Sequence, residues 1–161
     1  MIKLLKLAVI SAVIIFLIVT AIGLLIPAES KISRTVEINK TSKEVLPYVN
    51  SLFGWQKWIN GLADKKIESA TITRIGKSSM HIYSSNNNVV QASWVDEKGK
   101  INRNNLQLIE KGNITIVNWQ FENNTSWFPL DRIGSIVNEK VTGKMMEDNL
   151  ANLKKIIEAT P

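Results

Sequence analysis

The C-terminal stretch FPLDRIGSIVNEKVTGKMMEDNLANLKKIIEA, Phe128 to Ala159, constrains the fold more than any other part of the chain. Ile133, Ile136, Val137 and Val141 keep helical spacing, and so do Met146, Leu150, Leu153 and Ile157. Pro129 and Asp131 mark the start, with Asp131 the expected N-cap. The two apolar sets are out of phase, and Gly143 lies between them, which predicts a bend or a change of contacting face. A helix this long with an apolar stripe needs a curved sheet to lie in.

The preceding residues supply one. Lys31–Asn39 alternates, with Ile32, Val36 and Ile38 on one face and Arg34 the single charge among them. Thr41-Ser42-Lys43-Glu44 is a capping-box sequence opening a helix that reaches about Leu52, with Pro47 in its first turns and Gly54 closing it. Trp55 and Trp58 follow on one side of a short helical turn. From Lys66 to Asn123 the pattern is β: Ile67–Ile75, Ser79–Ser84, Val89–Asp96, Lys100–Ile109 and Ile114–Glu122, joined by short Gly- and Asn-rich turns. Short links make neighbouring strands antiparallel. The fold class is therefore α+β, a meander sheet closed by one long helix.

Upstream of the sheet, Leu4–Ile26 is apolar apart from Lys6, Ser11 and Thr20. As a helix it measures about 34 Å at ~1.5 Å per residue, enough to cross a bilayer core. The alternative is a signal peptide cut after Ala28, but the apolar run exceeds the usual signal length of about 7–15 residues. A retained anchor over residues 1–30 is expected, ahead of one domain over residues 31–161. Lysines flank both sides of the span, yet a short leading tail is easily retained inside, which places the domain on the outer face of the cytoplasmic membrane.

Composition narrows the chemistry. Of 161 residues none is cysteine, which rules out disulfides, thiolate metal sites and a Cys nucleophile. The formal charge of +6 is scattered rather than gathered into a stripe, so no nucleic-acid partner is expected. The lone histidine, His81, lies mid-strand, and the carboxylates fall at turns and polar helix faces. Glu147 and Asp148 point about 100° apart on a helix and do not chelate one ion together. Ser126 has no nucleophile-elbow context. No metal, no cofactor and no catalysis are expected. The aromatic and sulfur-bearing residues carry more meaning: Met80 and Ile82, Val90 and Trp94, and Trp119 and Phe121 mark inward faces of three strands, and Asn118 stands among apolar neighbours. Such residues build either a packed core or an aromatic-lined pocket with an adaptable methionine wall.

The order of these pieces carries a resemblance. RTVEINKTSKEVLPYVNSLFGWQKW (Arg34–Trp58), GKSSMHIYSS (Gly76–Ser85), NITIVNWQFE (Asn113–Glu122) and GKMMEDNLANLKKIIE (Gly143–Glu158) together resemble the START-like SRPBCC superfamily. More narrowly they look like its bacterial polyketide cyclase/dehydrase and lipid-transport-type members with one N-terminal membrane helix. The resemblance implies a helix-grip fold around an internal cavity and a hydrophobic or lipid-like ligand. It also implies Trp55 and Trp58 at the cavity mouth, with Met80, Ile82, Val90, Trp94, Asn118, Trp119, Phe121, Met145, Met146 and Leu150 along its wall. Asn60–Lys77 is short for the family, which predicts a reduced wall there. The expected partners are the membrane and an apolar small molecule. An envelope protein bound by a domain with a filled cavity, or a cyclase-like enzyme, is the alternative.

Overall fold

The structure, a computed structural model, describes residues 2–27, 29–124 and 128–160. Ala28, the alternative cleavage position, and Ser126 lie outside the described residues. In chain order the elements are α1 (Ile2–Leu25), β1 (Glu29–Ile38), α2 (Ser42–Val49), α3 (Leu52–Trp55), β2 (Ile72–Ile75), β3 (Ser78–Ser85), β4 (Val89–Val95), β5 (Ile101–Lys111), β6 (Ile114–Asn124) and α4 (Pro129–Glu158). The six strands form one antiparallel sheet in the order β1-β6-β5-β4-β3-β2, and α4 returns across it beside β1. This is an α+β helix-grip fold.

Two turns set the register. Ile75 pairs with Ser78 and Lys111 with Ile114, leaving Gly76-Lys77 and Gly112-Asn113 as two-residue loops. Both glycines sit at φ 62°, the left-handed value that the first residue of such a hairpin turn requires. The pairing then carries alternate residues inward in level rows. Ser30, Asn123, Asn102, Trp94, Met80 and Thr73 form one row, and Ile32, Phe121, Asn104, Ala92 and Ile82 the next.

Three local expectations are corrected. The strand expected over Ile67–Ile75 is paired only from Ile72, because side-chain hydroxyls hold the preceding residues in a loop. Ser69 Oγ accepts from the Ile72 amide at 2.9 Å and donates to its carbonyl at 3.0 Å, while Thr73 Oγ1 donates to the Lys66 carbonyl at 3.2 Å. Gly54 does not close α2. That helix ends at Val49, and Ser51 caps the separate turn α3 by accepting from the Gly54 amide at 3.1 Å. Finally, Asp131 is not the N-cap of α4. Phe128 is, since Pro129 suits the first helical position, and Asp131 falls in the first turn, where its charge favours the dipole.

The long helix changes its contacting face, as the phase break predicts. Met146, Leu150, Leu153 and Ile157 are buried against the sheet, each contributing about 1.5–3 kcal/mol. At Gly143 the helix comes so close to β1 that an added Cβ would strike the Arg34 guanidinium. Arg34 Nε donates to Glu147 at 2.7 Å, so the one charge on the inner face of β1 reaches solvent over the glycine. The far end of α4 is fastened to β1 as well: Glu158 accepts from the Asn39 amide at 2.8 Å, and Lys154 donates to the Glu37 carbonyl at 2.6 Å.

The Asn39 amide, with smaller help from Lys154, holds the Glu158 carboxyl below its ordinary value of 4.5. A lowered folded-state value means that this stabilisation is complete above the ordinary value and is lost as pH falls through the lower one. Glu158→Gln is therefore expected to lower the Tm at pH 7, with the gap to the parent narrowing as pH falls below the ordinary value of 4.5 in parallel melts. Gly54 offers a second test, because an added Cβ there would lie 2.6 Å from the Pro47 carbonyl and 2.7 Å from that of Tyr48. These are backbone atoms, so Gly54→Ala is expected to cost about 1–3 kcal/mol in urea unfolding.

Candidate functional site

The interior of the grip is occupied by the chain itself. Trp55, Trp58, Met80, Ile82, Val90, Trp119, Met146 and Leu150 are all buried in one cluster. The tryptophan pair expected at a cavity mouth lies beneath α2 instead, because each indole N–H finds a backbone acceptor there. Trp55 Nε1 donates to the Val49 carbonyl at 2.6 Å and Trp58 Nε1 to that of Tyr48 at 2.8 Å. Trp58 meets Trp119 edge-on, with centroids 5.6 Å apart and planes at 83°. Trp119 in turn donates from Nε1 to Asn104 Oδ1 at 3.0 Å.

Room remains at the open end, where the inward rows run out toward β1's first residues. A groove of about 520 Å³ lies between α4 and the β4–β5 hairpin, lined by Ser78, Trp94, Asp96, Glu97, Lys98, Asn102, Phe121, Thr142 and Met145. Of the residues expected along a cavity wall, this groove brings together Trp94, Phe121 and Met145. Asn118 is on the opposite, convex face, as strand alternation with buried Val117 and Trp119 requires. Its Oδ1 accepts from Ser33 Oγ at 2.7 Å.

Sequence reasoning missed the polar side of the groove. Asn102 and Asn104 share the parity of buried Leu106 and Leu108, a signal that placed them inward, yet Asn102 and Asn104 read as ordinary polar strand residues. Asn123, level with Asn102, has its Oδ1 buried without a hydrogen-bond partner among the described residues. Asp96 is committed to the hairpin: its Oδ1 accepts from the Lys98 amide at 2.8 Å and the Lys100 amide at 2.9 Å. The remaining polar side chains of the groove are the charged Glu97 and Lys98, the hydroxyls of Ser78 and Thr142 and the carboxamide of Asn102. His81 is exposed on the outer face beside Tyr83. Among the described residues no group of His, Asp and Glu is placed to hold a metal ion. A second depression of about 310 Å³, between α2 and the end of α4, is lined by Lys40, Glu44, Tyr48 and Lys57 among others. There Glu44 is engaged by the amide and hydroxyl of Thr41, both at 2.8 Å, and Lys57 lies over the Tyr48 ring.

The division between core and groove has a measurable consequence. Trp119→Phe leaves a buried Asn104 oxygen without its donor and is expected to cost about 1–3 kcal/mol of unfolding free energy. Trp94→Phe, at the half-exposed groove wall, is expected to stay within about 0.5 kcal/mol of the parent in the same denaturation series.

No protein-family model matches the chain, and no curated protein does. Solved structures match in fold. The Aha1 dimer from Colwellia psychrerythraea aligns with a TM-score of 0.57 at 16% identity, over 81% of this chain and 97% of that one. CalU16 from Micromonospora echinospora gives 0.53 at 17% identity, over 82% and 74%. StfQ, a di-domain ARO/CYC from the steffimycin biosynthetic pathway, gives 0.59 at 7% identity, over 81% of this chain and 51% of StfQ. At such identities the likeness is one of fold, and the chain shares the helix-grip architecture of these proteins.

Proposed function

We propose that this chain is a membrane-anchored binding protein for a hydrophobic or lipid-like small molecule, held in the groove between α4 and the open end of the sheet. The observation that carries the reading is the groove's make-up: Trp94, Phe121 and Met145 supply an apolar wall, Ser78, Asn102 and Thr142 a few neutral polar groups, and the β4–β5 turn the charged Asp96, Glu97 and Lys98. A volume of about 520 Å³ suits a ligand or one lipid chain rather than a whole phospholipid. Met145 adds an adaptable surface, since its unbranched thioether re-packs at little cost.

The anchor is α1. Lys3–Leu25 is long and apolar enough to cross a bilayer, and its leucine, isoleucine and valine side chains point outward along its length. We place the sheet on the outer face of the cytoplasmic membrane, following the signal-anchor logic of a short leading tail. A second reading, a module that binds an envelope protein, is favoured by the interior that Trp58 and Trp119 fill and by the exposed apolar residues on the first half of α4.

Native mass spectrometry of the full chain in detergent, after incubation with a membrane lipid extract, separates the two. Ligand binding predicts an adduct of lipid-chain mass in the parent that is lost in Met145→Lys, a change at a residue 40% exposed and outside the core. Clean unliganded masses for both proteins, or equal adducts on both, would refute the groove and favour the protein partner.

A further inference from the structure

The first half of α4 is turned inside out relative to the second. Ile133, Val137, Val141 and Met145 follow one another at intervals of four residues, so they form one row along the helix. In the packed half such a row would face the sheet. Here Val137 is 64% exposed and Val141 65%, while Ser135 and Thr142 on the other side face inward. The row has an origin and an end. Its origin is α1: Gly23 abuts Pro129 so closely that no Cβ fits between them, and Arg132 Nη1 donates to the Ile26 carbonyl at 3.2 Å. Phe128 and Pro129 also line, with Ala12, Ile15, Phe16, Val19 and Thr20 from the middle turns of the apolar helix, an apolar depression of about 380 Å³. Its end is Met145, which lines the groove. From Ile133 to Met145 the row runs about 18 Å, twelve residues at ~1.5 Å each.

Strand register points the same way. The inward row that contains Trp94 and Asn102 is level with Ser30, at the start of β1 where the chain leaves α1. The β2–β3 turn at Gly76-Lys77 and the β4–β5 turn at Asp96–Lys100 lie beyond that row on the same side. The groove's open end and the exit of α1 are therefore on one edge of the sheet.

We infer that the row Ile133–Val137–Val141–Met145, half-buried at Ile133 and exposed from Val137 onward, is the path by which an acyl chain of a bilayer lipid passes from the membrane around α1 to the groove. This inference rests on the groove and anchor readings above and adds the ligand's source. A bilayer lipid fits better than a protein partner because the row is continuous with a membrane-length apolar helix at one end and with the groove at the other. The row and the exposed Ile136 beside it form a narrow strip that covers an alkyl chain along its length, whereas a protein interface needs more breadth. Lys140 flanks the row, where its ammonium group meets lipid headgroups while its stem lies along apolar surface; Lys144, one turn on, is paired with Asp148 at 2.7 Å.

The test uses the full chain in lipid nanodiscs, with a fluorophore on Lys77→Cys in the exposed β2–β3 turn beside groove-lining Ser78, a thiol that is unique because the chain has no other cysteine. Two quenchers are compared: a phospholipid carrying a doxyl group on its acyl chain, within the bilayer, and a short-chain doxyl fatty acid added from solution. The inference predicts quenching by both. It further predicts that Val137→Glu/Val141→Glu, changes confined to exposed positions, cut quenching by the bilayer lipid at least fivefold and leave quenching by the soluble probe unchanged. Equal quenching by the bilayer lipid in both proteins would overturn the path. Quenching by the soluble probe alone in the parent would also overturn it, keeping the groove and making the row a protein-binding face. Quenching by neither probe in the parent would reject the groove itself. Circular dichroism of the double variant establishes that its helix content matches the parent's.

Discussion

The edge-on contact between Trp58 and Trp119 is where the layers of this protein meet, and the remaining structure is arranged around it. Trp58 hangs from α2 by its hydrogen bond to the Tyr48 carbonyl, and Trp119 is steered from below by Asn104. With both indoles fixed at their polar edges, their rings fill the space that a helix grip otherwise leaves open. The sheet then closes on α4 only over the buried row Met146–Ile157. Before that row α4 turns Val137 and Val141 to solvent, and the groove lies at Thr142 and Met145. The size and position of the site follow from where the tryptophans stop.

The same arrangement explains the split character of α4. A continuous apolar stripe would draw the whole helix into the sheet and seal the open end. The phase break at Gly143 prevents this, and the glycine also lets Arg34 pass over the helix to Glu147. An exposed pair of this kind stabilises by only about 0–1 kcal/mol. Its effect is on position more than on stability: it sets which turn of α4 sits over β1, and so which side chains overlook the groove.

Much of this was legible in the chain. Alternation fixed Ile32, Val36 and Ile38 as the inner face of β1, and the glycine turns at Gly76 and Gly112 marked two hairpins. The helical spacing in Phe128–Ala159 was readable, as was the break in its phase. What the sequence did not carry was the destination of each polar group. The role of Trp55 and Trp58 depends on which carbonyls their N–H groups find, and those lie on another helix. Lys66–Thr71 alternates well enough for a strand, but Ser69 and Thr73 offer the backbone closer partners. Asn118 stands among apolar residues in sequence while alternation turns it to the opposite face. The apolar row on α4 was plain as a pattern, yet a pattern of exposed valines does not say whether sheet, lipid or protein lies against it.

The short passage between α1 and β1 has a mechanical meaning. Only a few residues separate Leu25 from Glu29, and Gly23–Pro129 and Arg132–Ile26 contacts bind the helix end to α4 on the other side. The end of the helix is thus held to α4 by these contacts, and a few residues on the chain enters β1. In a bilayer, a helix longer than the hydrocarbon layer relieves the mismatch by tilting. With α1 spanning a bilayer as proposed, a tilt of the helix would tip the sheet with it, and membrane thickness would set the angle at which the groove meets the lipid surface.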